Sequence, residues 1–317
     1  MNNALPSVTI IIAARPDQAR IDAVEASKRL DYPADQIELL VARGKQPSVQ
    51  RNAALRVARG ELIYFLDDDS KPSPDALRLG TGHFQKPEVK MAGGPNLCPA
   101  DAPALEQSFA LTMGAWLAFG PSCARYRRVG TARASSEKEL ILCNLLARRQ
   151  ALLELGGFDE ALYPNEENAL MDDLQKRGGV LIYDPDLIVR RRPRSTLESF
   201  IKMLMNYGRG RAEQFRLHPT LGSAPNFVPP LFCAYLLVVP FLGQVGLIPL
   251  IIYAVAVLLQ SLAIVPMRTA HLNLQVIPLI VLTHIFYGIG FWRGLFTKPK
   301  PPSERITSEI KIESIIL

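Results

Sequence analysis

The N-terminal part of the chain alternates short apolar runs with mixed polar stretches. The apolar runs are Val8–Ala13, Ile37–Val41 and Leu62–Leu66. Continuous apolar runs of this length, rich in β-branched residues, are typical of parallel strands that are buried on both faces. The stretches between them, Asp17–Leu30 and Ser48–Arg59, are predicted to be helices. This alternation predicts an α/β doubly wound sheet, in which ligands bind at the carboxyl ends of the strands.

The C-terminal part of the chain has a different pattern, with long apolar runs. No Asp, Glu, Lys or Arg occurs between Val228 and Val265, and a second uncharged run covers Leu274–Trp292. A membrane-spanning helix needs about 20 apolar residues. The pattern therefore predicts about three hydrophobic segments, at 228–243, 246–265 and 274–292. A buried helical core is the alternative, and it is disfavoured because uncharged runs of this length are rare in soluble folds.

These patterns predict three parts: an α/β domain over residues 1–224, a membrane domain over 225–296 and a mobile tail over 297–317. We expect no signal peptide, because residues 1–6 lack a basic region. The α/β domain is therefore expected in the cytoplasm, on a multi-pass protein of the inner membrane. Three crossings would put the basic C-terminal tail outside, against the positive-inside tendency. The topology stays open, and one segment could be re-entrant or interfacial.

Charge and composition narrow the range of partners. The mean hydropathy is +0.11, which is high for a soluble chain, and the net charge is 36 − 30 = +6. Residues 190–216, within a basic juxtamembrane segment at 190–224, contain eight Lys and Arg against two Glu. Such a segment favours anionic headgroups or the pyrophosphate of a lipid carrier, with simple anchoring as the alternative. Nucleic acid is not expected, because no binding module or interleaved aromatic residues accompany the charge.

Three consecutive carboxylates, Asp67, Asp68 and Asp69, follow the third apolar run directly. Adjacent carboxylates repel one another, so a positive group is expected beside them. Mg²⁺ or Mn²⁺ fits, because such ions are commonly shared between one or two carboxylates and a substrate's phosphates. A solvated turn is the alternative. The four histidines and four cysteines lack metal-ligand spacing, so no zinc site or disulfide framework is expected.

Several motifs together resemble family 2 glycosyltransferases of the GT-A fold, over about residues 7–220. The later ones resemble the succinoglycan-type branch, which builds exopolysaccharide on lipid carriers. The motifs are Val8–Ala14, Ala58–Glu61, Phe65–Asp69, Leu155–Glu160, Asn165–Glu167, Pro193–Ser195, Tyr207–Arg211 and His218–Pro219.

The resemblance implies an inverting transfer of sugar from a nucleotide-sugar donor to a lipid-linked (polyprenyl) acceptor, with Mn²⁺ or Mg²⁺ as cofactor. Asp67 and Asp69 would be the metal ligands. Glu167 takes the place of the catalytic base, with Glu166 before it. The nucleotide-sugar positions would be Arg15, Asp17, Arg43, Arg51, Asn52, Asp67 and Asp68, and Arg194, Arg209 and Arg211 would contact the acceptor or diphosphate.

Two departures from the family pattern concern the nucleotide. Arg43 stands where the family has an aspartate that accepts a hydrogen bond from the base, and arginine has no acceptor atom. The segment between Arg43 and Arg51 is also shorter than in the family. These departures keep open a catalytically silent GT-A subunit of a glycan-assembly complex. A polyprenyl-phosphate glycosyltransferase is the other alternative.

Overall fold

The structure is a computed structural model that describes residues 5–160, 166–217, 219, 221–297 and 309–316. Its strands are β1 (Val8–Ala14), β2 (Ile37–Arg43), β3 (Leu62–Asp67), β4 (Lys71–Pro72), β5 (Val89–Gly93), β6 (Asn96–Leu97), β7 (Arg133–Ser135), β8 (Asn144–Arg148), β9 (Val180–Tyr183), β10 (Val189–Arg190) and β11 (Lys311–Ile315). Its helices are α1 (Asp22–Ser27), α2 (Pro47–Val57), α3 (Ala76–Gly82), α4 (Ala104–Met113), α5 (Trp116–Phe119), α6 (Arg149–Glu154), α7 (Glu166–Lys176), α8 (Leu197–Leu217), α9 (Val228–Val238), α10 (Gly243–Gly246), α11 (Ile248–Ile264) and α12 (Asn273–Phe296).

A mixed eight-stranded sheet forms the centre of the described α/β part, in the order β11-β2-β1-β3-β8-β5-β9-β7. Strand β1 pairs in parallel with β2 and β3, and β8 pairs antiparallel with β3. A small sheet, β4-β10-β6, adjoins it. Both faces of β1–β3 are buried under helices, which explains their continuous apolar sequences. The predicted alternation of strands and helices is confirmed for β1 to β3, although α1 is shorter than predicted and follows a loop at residues 15–21.

The C-terminal strand corrects the prediction of a mobile tail at 297–317. Residues Lys311–Ile315 form β11, which pairs antiparallel with β2 from Lys311 opposite Arg43 to Ile315 opposite Leu39. Apolar residues on both faces of this segment pack against the two cores of the sheet, and this packing stabilises the docked strand. The prediction is therefore wrong for 311–315, whereas residues 298–308 and 317 lie outside the described residues.

Three C-terminal helices are long and apolar enough to cross a membrane: Ser223–Phe241, Gly243–Ile264 and Met267–Phe296. The third differs from the others, because 44% of its most apolar window is buried inside the protein, against 11% for each of the first two. The large apolar side chains exposed on the first two segments include Val228, Leu231, Leu237, Phe241, Val245, Ile251, Ile252, Val255, Leu258, Leu259 and Leu262. An apolar surface of this extent is expected to meet lipid.

Helix α12 joins the apolar helices to the α/β part. Its backbone touches that of α8, since a Cβ added to Gly208 would lie 2.0 Å from the Tyr287 carbonyl oxygen, and one added to Gly290 would lie 2.2 Å from that of Met205. On α4, the Ser108 hydroxyl donates to the Gln275 side chain of α12 over 2.8 Å. The apolar helices are therefore packed directly onto the α/β part of the chain.

Candidate active site

The carboxyl end of β3 holds Asp67 as its last residue and Asp69 in the turn that follows. Both carboxylates face one guanidinium: Arg191 Nη1 lies 2.8 Å from Asp67 Oδ2, and its Nε lies 2.5 Å from Asp69 Oδ1. Arg191 directly follows β10, so the small sheet carries it to this position. The positive group that the adjacent carboxylates require is therefore supplied by the chain itself.

A second arginine links the β3 carboxylates to the predicted catalytic pair. Arg51 of α2 places Nη2 3.0 Å from Asp67 Oδ1 and Nη1 3.4 Å from Glu166 Oε1. Arg51 and Glu166 are both buried, with 6% and 3% of their surface exposed. Glu166 begins α7, where the helix dipole favours a carboxylate. The structure thus brings Asp67, Arg51 and Glu166 together, and Glu167 follows on the first turn of α7 with partial exposure.

The carboxylates of this network differ in acidity. Burial opposes ionisation of Asp67, but Arg191 and Arg51 outweigh it and hold the pKa of Asp67 below its ordinary value. Burial raises the pKa of Asp69, and Asp67 and Asp68 add to this rise against the effect of Arg191. Burial also raises the pKa of Glu166 to about 7, with repulsion from Glu167 adding to the shift and Arg51 opposing it.

A divalent cation is compatible with Asp67 and Asp69 only if other ligands complete its shell. Among the described residues, no group of three or more His, Cys, Asp or Glu side chains is placed to hold a metal ion. Two carboxylates suit Mg²⁺ or Mn²⁺ when a substrate's phosphates supply further oxygen ligands. Asp67 and Asp69 therefore fit a divalent cation if phosphate oxygens complete its shell. The Arg191 guanidinium faces the same two carboxylates.

The other end of the site, at β2, is organised around Arg43. Its Nε donates to Glu313 Oε2 of β11 over 2.9 Å, and its Nη1 donates to the Gln18 carbonyl oxygen over 2.8 Å. The guanidinium therefore lies between the C-terminal strand and the loop after β1. These contacts are structural, and the nucleotide-binding role of Arg43 stays a prediction. Arg15 and Asp17 lie exposed on the same loop, and the structure records no side-chain partner for either within the described residues.

Asn52 has a structural contact set too. Its amide nitrogen donates to the Phe158 carbonyl oxygen over 2.8 Å and to Glu160 over 2.9 Å, while its amide oxygen accepts from the Phe158 N–H over 2.8 Å. Gly157 has φ of +84°, and a Cβ there would lie 2.4 Å from the Asn52 oxygen. Asn52 therefore holds the Gly-Gly-Phe-Asp-Glu turn, where the sequence had predicted contact with the nucleotide.

Two of the three predicted acceptor arginines lie on α8 and point apart. Arg209 is 3.5 Å from Glu213, and its backbone packs against Gly294 of α12. Arg211, two residues on, lies within electrostatic reach of Glu167 and Arg125, and burial and Arg125 lower its pKa. Residues i and i+2 of a helix do not share a face. Arg209 and Arg211 therefore lie on different sides of α8, and Arg194 is exposed within reach of the Asp67 charge. Contact of these three arginines with the acceptor or diphosphate stays a prediction.

Sequence reasoning missed four residues that shape the site: Arg191, Glu313, Gln50 and Arg125. Gln50 donates to the carbonyl oxygens of Ala14 and Ala42 over 2.8 and 2.6 Å and so ties together the ends of β1 and β2. Arg125 donates to the Asn168 side chain of α7 over 2.7 Å. The basic segment that contains Arg191 was recognised, but its net charge could not show which arginine faces the carboxylates.

A mixed α/β sheet with carboxylates at the end of β3 and an acidic helix start facing them defines a protein of the GT-A type. The family model described as glycosyl transferase family group 2 matches residues 62–292. The chain belongs to this family, so the resemblance identified in the sequence is confirmed. The match begins at β3, so β1, β2 and Arg43 lie before it.

Similar proteins agree with this classification. The pre-mycofactocin glycosyltransferase of Mycobacterium tuberculosis is 25% identical over 177 residues, which cover 55% of this chain and 36% of the relative. The succinoglycan biosynthesis protein ExoA of Rhizobium meliloti is 26% identical over 155 residues, 47% of this chain and 46% of the relative. The chain thus spans less than half the length of either relative. Among solved structures, the mannosyltransferase PcManGT of Pyrobaculum calidifontis, in complex with GDP-Man and Mn²⁺, aligns with a TM-score of 0.55 at 18% identity over 93% of this chain and 88% of that one. This likeness confirms the GT-A fold.

Proposed function

We propose that the chain transfers a sugar from a nucleotide-sugar donor to a lipid-linked acceptor at a membrane surface, with inversion at the anomeric carbon. The observation that carries this proposal is the continuous network from Asp69 through Arg191, Asp67 and Arg51 to Glu166, with Glu167 beside it. Such a network would hold a donor diphosphate next to a carboxylate that could act as a base. The Mn²⁺ and GDP-Man of the Pyrobaculum structure are consistent with it.

The chemistry follows from the positions of these groups. Glu167, more exposed than Glu166, would remove the proton of the acceptor hydroxyl as that oxygen attacks the anomeric carbon from the face opposite the diphosphate. Glu166 and Arg51 would hold the first turn of α7 against the β3 carboxylates. A divalent cation bound by Asp67 and Asp69 would neutralise charge on the leaving diphosphate. Arg191 and Arg194 are placed to add positive charge at the same point.

The apolar helices support a lipid-linked acceptor. They pack directly on α4, α5 and α8, so a lipid surface and the sugar-transfer site would lie within one compact protein. The strand β11 limits how these helices meet the membrane. Because β11 pairs with β2, residues on either side of the apolar region would lie on the same side of a membrane, so the number of crossings would be even. The 298–308 segment is rich in charge and proline and cannot itself cross.

We therefore propose that not all three apolar helices cross the membrane, and that α12 lies at its cytoplasmic surface. Helix α12 contacts the catalytic part, and the α8 helix beside it carries Lys202, Arg209, Arg211 and Arg216. A C-terminal epitope tag would be accessible from the same side as an N-terminal one in oriented vesicles. Accessibility of the two tags from opposite sides would contradict this arrangement.

The test of the reaction uses the full chain in detergent. Calorimetric titration with UDP and GDP, with and without Mn²⁺, should reveal one nucleotide whose binding needs the metal and is lost in Asp69→Asn. Glu167→Gln should keep nucleotide binding but lose sugar transfer by about 10²- to 10⁴-fold. Asp172→Asn, which changes a partly exposed carboxylate on the same α7 that pairs with Lys176, is the matched control and should keep both nucleotide binding and sugar transfer.

Two results would contradict the proposal. Asp69→Asn and Glu167→Gln proteins that both keep normal transfer would exclude the assigned roles. A folded wild-type protein that binds no nucleotide would favour the silent-subunit alternative. Offering polyprenyl phosphate and a diphosphate-linked glycolipid as acceptors, with the same donors, separates the lipid-linked glycan reaction from direct transfer to a lipid phosphate.

A further inference from the structure

The C-terminal strand reaches the donor side of the sheet, although it follows the apolar helices in sequence. Lys311 pairs with Arg43 at the carboxyl end of β2, and Ile315 pairs with Leu39. Alternate residues of β11 face opposite sides of the sheet: Ile312 packs with the core cluster around α2 and α7, and Ile315 with the cluster around α1. Glu313 shares the face of Ile315, which is the face on which the loop after β1 lies.

Glu313 fixes the orientation of Arg43. Its Oε2 accepts from Arg43 Nε over 2.9 Å, and its Oε1 lies 3.0 Å from Lys311 Nζ. The Glu313 side chain is 26% exposed and that of Arg43 is 20% exposed, so water competes only in part for this contact. Because the guanidinium is planar and rigid, a carboxylate held at Nε also fixes the direction of the Nη1 N–H bonds.

The fixed Nη1 donates to the backbone of the loop after β1. Its distances to the Gln18 and Arg15 carbonyl oxygens are 2.8 and 3.4 Å. At its far end this loop enters α1, where the Ala23 N–H donates to the Asp68 carbonyl oxygen over 3.0 Å. The loop is therefore held between Arg43 at β2 and the aspartate turn at β3, and it carries Arg15 and Asp17 at the carboxyl edge of the sheet.

We propose that Glu313 is a positioning residue for the nucleotide-sugar donor: through Arg43 it fixes the loop that presents Arg15 and Asp17 to the nucleotide. The C-terminal strand is then part of the donor site. Its Glu313 carboxylate orients Arg43 beside the turn after β2, and that turn itself contains no carboxylate. This inference rests on the proposed function, because it assigns the donor to that edge of the sheet. Loop fixation itself is measurable without any donor.

The test compares Glu313→Gln with Lys311→Gln in the full chain. The first variant loses the charge that holds Arg43, whereas the second keeps the Arg43–Glu313 contact and the strand. We expect Glu313→Gln to weaken binding of the nucleotide that the wild type accepts, and to raise the donor KM, by about tenfold with little change in kcat. Amide hydrogen exchange over residues 15–21 should become faster in Glu313→Gln and stay unchanged in Lys311→Gln.

A charge exchange separates positioning from simple docking of the strand. The double variant Arg43→Glu with Glu313→Arg restores an ion pair between β2 and β11, but a glutamate at 43 cannot donate to the loop carbonyls. It should therefore keep the strand docked, seen as protected amides at 311–315, and still bind nucleotide weakly. Full recovery of binding in the double variant would overturn the positioning role.

The remaining outcomes are distinct for the two proposals. If the wild type binds nucleotide and Glu313→Gln binds equally well with unchanged loop exchange, the inference is wrong and the proposed function stands. If the folded wild type binds no nucleotide, the proposed function fails, and hydrogen exchange still decides whether Glu313 fixes the loop.

Discussion

The carboxyl edge of the sheet holds its charges differently at β3 and at β2. At β3, two arginines meet three carboxylates in one network, in which Arg51 and Glu166 are buried, with 6% and 3% of their surface exposed. At β2, one arginine meets one carboxylate near the surface and directs its other N–H groups to backbone carbonyl oxygens. The first arrangement concentrates carboxylates and guanidinium groups that could interact with a metal ion and a diphosphate. The second fixes the shape of a loop.

This difference predicts different energetic costs. Breaking a buried charge pair leaves an uncompensated charge and is strongly destabilising, whereas a pair near the surface contributes about 1 kcal/mol or less. Four experiments, ordered from the largest expected effect to the smallest, examine this contrast.

Replacing Arg51 by Met should have the largest effect, lowering the free energy of unfolding by about 3 kcal/mol, because Glu166 and Asp67 both lose a buried partner. Denaturant unfolding of the detergent-solubilised protein measures the change. The double variant Arg51→Met with Glu166→Gln should regain part of the loss, since no unpaired carboxylate is then buried at α7. Arg56→Met, an exposed change on the same α2, should remain within about 0.5 kcal/mol of the wild type. Equal decreases in the free energy of unfolding in the Arg51 and Arg56 variants would refute the contrast between the buried and the exposed arginine.

The pH dependence of stability should reveal Glu166. Its pKa of about 7 lies above its ordinary value of 4.5. Between these values the folded protein holds a proton that the unfolded chain has released, so the contribution of Glu166 to stability falls as pH rises. The total fall is on the order of 3 kcal/mol, at about 1.4 kcal/mol per pK unit. Glu166→Gln removes this titration, so its advantage over the wild type should grow from pH 5 to pH 8.

Asp67 provides a control of opposite sign. Its pKa is lowered, so its contribution to stability is present above its ordinary pKa and is lost as pH falls through the lowered value. Thermal unfolding of wild type, Glu166→Gln and Asp67→Asn across pH 3 to 8 should therefore give two difference curves that slope in opposite directions. A Glu166→Gln difference that is constant with pH would exclude the raised pKa.

What could be predicted from the sequence depends on how local each feature is. The β1 to β3 strands and the aspartate turn follow from continuous apolar runs and the residues next to them, so both were correctly predicted. Arg191 meets Asp69 from 122 residues away and Glu313 meets Arg43 from 270 residues away. No local pattern encodes such contacts. The charged, proline-rich sequence before β11 predicted a mobile tail, because it contains no sign of the strand partner that the fold provides.

Arg191 should compete with a metal ion for the β3 carboxylates. Its guanidinium contacts Asp67 and Asp69 at 2.8 and 2.5 Å, so metal binding without nucleotide must displace or share it. Arg191→Gln should therefore bind Mn²⁺ about tenfold more tightly in the absence of nucleotide, a difference of about 1.4 kcal/mol. Titration followed by the electron paramagnetic resonance of free Mn²⁺ measures this. Arg194→Gln, which changes an exposed arginine near the same carboxylates, should shift the affinity less. Unchanged or weaker Mn²⁺ binding in Arg191→Gln would show that the guanidinium does not compete.

The smallest effect is expected at β2, where a double-mutant cycle measures the coupling between Arg43 and Glu313. The single variants Arg43→Gln and Glu313→Gln and their combination should give a coupling free energy of unfolding of about 0.5 to 1 kcal/mol, because both side chains are partly exposed. The same cycle for Arg51 and Glu166 should give a clearly larger value, because that pair is buried. A coupling at β2 as large as that at β3 would mean that the C-terminal strand contributes to stability through its charge. The expected small value would instead mean that β11 is held mainly by backbone pairing and its isoleucines. Glu313 would then act mainly by orienting Arg43 toward the loop after β1.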